Sequence, residues 1–210
     1  QLTKNFINGE IYKHSYDELA ITTILKHEHL DNSVARQIFS DEAILALLPI
    51  SNNKTSVVLS IKKNHSKEKI NNTMLRKKIK FYARDFLKKI EFNSNFEMKE
   101  LNLSIRKKYH SKRVLLFGDA LHLVHPLAGQ GTNMTLRDLK VLKKILNNKI
   151  NLGLDIGSDD VLSEFEKMTK AKNFAYSLGI DFIRKSFKFK KKPLKSFRNR
   201  IMIEINKNNI

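Results

Sequence analysis

The chain has 210 residues, 41% of them hydrophobic, which is enough for one large domain or two small ones and excludes a wholly disordered chain. It contains no cysteine, which excludes disulfides and thiol chemistry and suits a reducing compartment, and no apolar run nears the roughly 18–20 residues that span a bilayer. A formal net charge of +19 raises nucleic acid as a partner, but Lys, Asn and Ile are abundant everywhere, so most of that charge reads as solvated surface shaped by codon bias.

In chain order, "SYDELAITTIL" (residues 15–25) ends in β-branched residues and predicts a strand. "EAILALLPI" and "KTSVVLSI" flank "SNN", so residues 42–61 predict a hairpin of two buried strands and, with the first strand, an antiparallel sheet. From Ser66 to Ile90, Ile70, Met74, Ile79, Ala83, Phe86, Leu87 and Ile90 make one helical face, which would cover that sheet. A strand is expected over 113–117, closed by Gly118-Asp119. A helix should follow from about Gln130 to Asn148, with Thr135, Leu139, Leu142 and Leu146 along one face. Ser158 with Asp159 and Asp160 announces another helix, whose apolar face continues through Val161, Phe165, Met168, Ala175, Leu178 and Phe182.

The stretch "RVLLFGDALHLVHPLAGQGTNM" (residues 113–134) holds three of the seven glycines and one of the three prolines. A strand ending in Gly-Asp puts a carboxylate at the carboxyl end of a sheet, where ligands of α/β folds sit. Gly129 and Gly131, at a helix start, allow close backbone approach and present free N–H groups to an anion or electron-rich ring. An acceptor for hydroxyls beside donors for negative charge suits a nucleotide-like cofactor with a polyol chain. The G-x-G-x-x-G dinucleotide fingerprint is absent, because Met134 stands where its third glycine would fall. Metal is not expected: His122 with His125, and "HEH" at 27–29, lack any Cys or carboxylate cluster to complete a site.

The same stretch, continued as "TLRDLKVL", resembles the second flavin motif, G-D-A-x-H-x-x-x-P-x-x-G-Q-G-x-N, of class A FAD-dependent aromatic hydroxylases, and is most similar to their ubiquinone-biosynthesis branch. Residues 15–61 resemble the family's substrate-side sheet, and "FEKMTKAKNFAYSLGIDFIRKSF" its carboxyl-terminal "YERRR…N" helix. The resemblance implies an α/β fold, α+β as a fragment. An antiparallel substrate-side sheet with its covering helix would occupy 1–105, the carboxyl-terminal part of a Rossmann-like FAD domain 106–150, and terminal helices with a basic tail 151–210. The amino-terminal G-x-G-x-x-G unit would be missing, so the chain is expected to be a carboxyl-terminal part of a longer enzyme or one half of a split one.

By resemblance, Asp119 would accept hydrogen bonds from the ribityl hydroxyls of FAD. Gly129, Gln130, Gly131, Thr132 and Asn133 would line the flavin ring, and Pro126 would pack where oxygen reacts. No side chain is expected to be catalytic, since the flavin carries the chemistry. His122 matches the motif's histidine and is expected to be structural rather than a proton donor, and Arg137 and Asp138 match the family's R-D and are expected to tie the helix to the loop. The implied reaction is NAD(P)H-dependent hydroxylation of a polyprenylated phenol; the alternative is a non-catalytic remnant or assembly subunit with an incomplete FAD site. Expected partners are the phenol and an amino-terminal half as a separate chain, but not nucleic acid. The expected location is cytoplasmic, with peripheral contact at the inner membrane surface through 184–200, where nine basic residues interleave with Phe187, Phe189 and Phe197.

Overall fold

A computed structural model describes residues 7–63, 70–187, 196 and 200. The predicted first strand is β1 (Ile11–Lys26), in which Ile21, Thr23 and Leu25 alternate inward. After β2 (Arg36–Phe39), the expected hairpin forms from β3 (Ala43–Ser51) and β4 (Lys54–Lys62). It is antiparallel throughout, and Ser51 faces Lys54 across the turn. The sheet order β2-β3-β4-β1 is antiparallel at every step. Alternation places Leu45, Leu47, Val57, Leu59 and Ile61 on one buried face.

Helix α1 (Asn72–Ala83) covers that face: Leu75, Ile79 and Ala83 pack into one cluster with Ile21, Leu25 and the hairpin. It is shorter than the expected span of 66–90. Asn71 caps it, its side chain accepting from the Met74 N–H at 2.8 Å. It stops where the Phe86 and Leu87 N–H groups both turn back to the Ala83 carbonyl, and Lys89 adopts a left-handed φ of 50°. Residues 64–69, including the predicted start, lie outside the described residues. Phe86 is not on the buried face; it is 40% exposed beneath the Arg36 guanidinium. Two short pairings complete this part: β5 (Glu91–Phe92) against β1, and the first half of β6 (Glu97–Arg106).

Contacts divide the chain into two compact units, Ser15–Leu101 as above, and Gln1–His14 with Asn102–Ile210. The second unit holds the glycine-rich stretch. A hairpin of β7 (His110–Ser111) and β8 (Val114–Leu115) turns at Lys112, whose φ is 52°. The five-residue strand expected over 113–117 is thus only two residues long, because Lys112 and Arg113 form the hairpin turn and the chain past Leu115 leaves the ladder for a tight turn at Gly118. The expected helices are α2 (Gln130–Asn151) and α3 (Asp159–Ser186), preceded by the short strand β9 (His122–Leu123) on β6. Phe165 of α3 is the centre of the core, with Tyr109, Leu116, Leu121, Ile145 and Val161 around it.

On α2 the expected face is kept at Leu142 and Leu146, which pack against the core, while Leu139 is 48% exposed and Met134, Asp138 and Ile145 are the fully buried residues; α3 is turned differently from its apolar spacing. On α3, Val161 and Phe165 are buried as expected, while Met168, Leu178 and Phe182 face outward and Thr169, Asn173 and Ser177 face inward. Two of those hydroxyls need no outside partner. Thr169 donates to the Phe165 carbonyl and Ser177 to that of Asn173, each at 2.8 Å and each one turn back. A polar stripe can therefore be buried at little cost in unpaired groups. The helical tail expected beyond residue 187 lies largely outside the described residues.

Candidate functional site

The Gly-Asp turn and the G-Q-G helix start, far apart in the motif, meet in the fold. Gly118, with φ of 58°, begins a single 3-10 turn through Ala120. A Cβ on it would lie 3.4 Å from the Thr135 methyl in the second turn of α2. That is ordinary contact, so it is the left-handed conformation that calls for glycine here. Asp119 follows, exposed, in the first position where a carboxylate can reach outward.

Pro126 opens a second 3-10 turn, Leu127–Gly129, that feeds directly into α2. Gly129 is left-handed, φ 64°, and a Cβ there would meet nothing within 4 Å. As the residue before the helix it has no side chain to cap the first turn of α2, where the Gln130 N–H is taken by the Leu127 carbonyl. Gln130 and Gly131 are half-buried, and Thr132 and Asn133 are exposed. This helix start offers open space, N–H donors and the positive end of a 22-residue dipole in one place, a fit for an anionic or electron-rich planar group.

Behind the loop lies a buried polar network that spacing alone left unassembled. His122 and Asp138 are both fully buried, and His122 Nε2 is 3.1 Å from Asp138 Oδ2. The same oxygen accepts from Asn173 Nδ2 at 2.7 Å, and Arg137 Nη2 donates to Asn173 Oδ1 at 2.5 Å. Arg137 also stacks over the Tyr176 ring, 4.1 Å from its centroid. One carboxylate thus joins β9, α2 and α3, the tie expected of Arg137 and Asp138, with His122 in a structural place and Asn173 as a member missed by the sequence reading. Its signal was present in the helical spacing of Thr169, Asn173 and Ser177. From β6, Arg106 Nε donates to the Ala120 carbonyl at 3.0 Å and holds the turn from the other side.

A second cluster closes the hairpin. Glu166 accepts the Tyr109 N–H at 2.9 Å and a bond from Lys170 at 2.7 Å, with His110 Nε2 at 3.7 Å. Burial raises its pKa, but Lys170, the Tyr109 N–H and His110 together outweigh burial and hold it below the ordinary carboxylate value. A carboxylate with a lowered folded pKa stabilises above its unfolded value and loses that contribution as pH falls through the folded value. Wild type is therefore expected to lose stability on acidification below about pH 4.5, and Glu166→Gln to lose less over that interval in urea melts at stepped pH. Burial also raises the Tyr109 phenol, the Asn173 bond opposing it, so this tyrosine stays protonated well above neutrality.

Comparison with known proteins gives a consistent answer. Residues 13–159 match the family described as FAD binding domain. The Xenopus tropicalis protein named ubiquinone biosynthesis monooxygenase COQ6, mitochondrial, is 27% identical over 217 residues, covering 86% of this chain and 47% of that protein. A 73-residue segment is 44% identical to the Dictyostelium discoideum protein of the same name, and ubiquinone hydroxylase UbiL of Rhodospirillum rubrum is 28% identical over 170 residues, covering 75% of this chain and 37% of that one. The chain spans about half the length of the curated relatives it matches. Among solved structures, Klebsiella pneumoniae HpxO with FAD and uric acid superposes with TM-score 0.68 at 13% identity, over 95% of this chain and 52% of that one. p-Nitrophenol 4-monooxygenase PnpA of Pseudomonas putida gives 0.67 at 16%, over 94% and 51%. At such identities the structures speak for the fold, and the family match for descent. The chain belongs to the FAD binding domain family.

Proposed function

We propose that this chain supplies the carboxyl-terminal part of an FAD- and NAD(P)H-dependent monooxygenase that hydroxylates the ring of a polyprenylated phenol in ubiquinone biosynthesis. The observation that carries the reading is the uncapped start of α2 at Gly129, with the Gly118-Asp119 turn packed on the same helix. Asp119 would take the ribityl hydroxyls, and Pro126, Gly129, Gln130, Gly131, Thr132 and Asn133 would border the flavin ring. When bound, the flavin supplies electron transfer from the nicotinamide and activation of oxygen. This chain's own part is to position: the helix dipole favours negative charge on the ring edge, and the His122–Asp138–Asn173 network holds the loop that bears Asp119.

The flavin-side segment is taken as 106–150, the substrate-side sheet with its covering helix as 1–105, and the terminal helices and basic tail as 151–210. An amino-terminal half bearing G-x-G-x-x-G would complete the cofactor site. The basic tail over 184–200, most of it outside the described residues, would contribute peripheral membrane contact. Among those residues no helix is long and apolar enough to cross a membrane.

The test is reconstitution. Mixed with a separately made amino-terminal half and FAD, the chain is expected to oxidise NADH or NADPH in step with formation of a prenyl phenol product heavier by one oxygen atom. FAD bound by the mixture with no reductant oxidised and no product would favour the second reading, a non-catalytic assembly subunit.

A further inference from the structure

Helix α1 carries a surface that the flavin reading does not use. Its buried side is Leu75, Ile79 and Ala83, packed on the sheet. At 100° per residue, Lys77, Lys80, Phe81 and Arg84 share the side turned away from the sheet, and all four are exposed. Arg84 follows the last helical residue and keeps helical backbone angles, φ of −56° and ψ of −31°, so the seam runs unbroken from Lys77 to Arg84. Its spacing is i, i+3, i+4 and i+7.

Phe81 is the centre of that seam. It is 55% exposed, yet its ring is held in place. The Arg84 guanidinium lies over it, 4.3 Å from the centroid, and the Tyr82 ring meets it edge to face at 5.3 Å. Tyr82 is itself fixed by a 3.0 Å hydrogen bond between its hydroxyl and that of Ser40. A lone exposed apolar side chain is ordinary surface. A ring clamped in one position has little freedom left to lose on binding, and aromatic and Arg anchors of this kind are what protein interfaces concentrate.

Charge decides the kind of partner. Residues 72–89 hold seven lysines and arginines against one acid, Asp85. Acids from other segments are engaged at the flanks, Glu42 by Lys78 and Glu28 by Lys89, each at 2.9 Å, and Asp85 stands 3.8 Å from Arg84. Lys77 and Lys80 carry no ion pair among the described residues. Cations at i, i+3 and i+7 around a ring at i+4 complement carboxylates and one apolar side chain on a facing helix, because packed helices meet along that spacing. A bilayer is a poor match, since burying the ring would carry the stacked guanidinium out of water with it. A nucleic acid presents phosphates on a strand that has no reason to favour helical spacing.

We propose that the outer face of α1 docks an acidic amphipathic helix of a partner protein, whose carboxylates meet Lys77, Lys80 and Arg84 while one apolar side chain covers the open face of the Phe81 ring. This surface lies wholly within the Ser15–Leu101 unit and does not depend on flavin binding, so its test stands apart from reconstitution of the enzyme.

The probe is a dye-labelled, Ala-rich peptide of about 20 residues with Glu at i, i+3 and i+7 and Leu at i+4, long enough to be helical in water. Titrated with the full chain and followed by fluorescence anisotropy, it is expected to bind saturably and at least about tenfold more tightly than a scrambled peptide of the same composition. Lys77→Gln with Lys80→Gln should weaken binding about tenfold at low salt, and Phe81→Ala about tenfold at any salt. Lys143→Gln with Lys144→Gln, the same charge change on the other unit, should bind as wild type. All these residues are exposed, so circular dichroism should match wild type throughout. Failure of the peptide to bind would overturn the proposal. So would equal binding of the scrambled peptide, indifference to Phe81→Ala, an equal loss in the Lys143 and Lys144 control, or tighter binding of oligothymidylate or of phosphatidylglycerol vesicles.

Discussion

Replacing Asp138 by Ala is expected to cost about 3–5 kcal/mol of stability, among the largest effects of any single substitution at the flavin-side loop. The carboxylate is fully buried and accepts from Asn173 at 2.7 Å beside His122 at 3.1 Å, with Arg137 at 3.8 Å. Alanine leaves His122 and the Asn173 amide buried without that acceptor, while Arg137 keeps its bond to Asn173. Asp138→Asn keeps one acceptor oxygen and should lose roughly half as much. The measurement is urea denaturation of the full chain, joined to amide hydrogen exchange. Exchange should quicken over residues 118–131 and remain unchanged in the β3–β4 hairpin, which belongs to the other unit. A variant as stable as wild type, with the loop equally protected, would show that the network is ornament.

Phe165→Ala is expected to cost a similar amount, about 3–5 kcal/mol, by a different mechanism. Its ring is wholly buried, with centroids of Phe117 and Tyr109 at 6.1 and 6.5 Å. Removing it opens a cavity under Phe117, the residue just before the Gly118-Asp119 turn. Phe165→Leu refills most of that volume and should cost about 1–2 kcal/mol. Ile79→Ala, in the core of the other unit, serves as the control: it should destabilise the β3–β4 sheet and leave exchange at 114–121 as in wild type. If Phe165→Ala left that turn protected, the turn would be held by hydrogen bonds alone, through Arg106 and the network.

What could be read from the sequence followed the physics of each element. The β3–β4 hairpin was legible because period-two alternation on both sides of "SNN" leaves only one register that buries both faces consistently. The glycine-rich loop was legible as a backbone feature because Gly118 and Gly129 sit where the chain turns left-handed, at φ of 58° and 64°. The inward face of α3 was not. Apolar spacing pointed to Met168 and Phe182, whereas burial went to Thr169, Asn173 and Ser177, whose polar groups are met inside the fold. Hydrophobic periodicity has no means of foreseeing a polar residue whose partner is its own preceding turn or a carboxylate on another helix. The strand at 113–117 failed for a different reason: Lys112 and Arg113 are the turn of a tight hairpin that pairs only Val114 and Leu115, and the 3-10 turn at Gly118 takes up the chain beyond.

The central claim is that residues 118–133 form the flavin-binding edge of a site completed by an amino-terminal half. It is tested most directly by titrating FAD into this chain alone and into a mixture with that half, following flavin fluorescence in a chain without tryptophan. The account predicts saturable quenching in the mixture, weak or absent for the chain alone, and at least about tenfold weaker affinity with Asp119→Ala, the loss of one charge-assisted contact. Equal lack of binding in both, or an affinity in the mixture indifferent to Asp119, would contradict it.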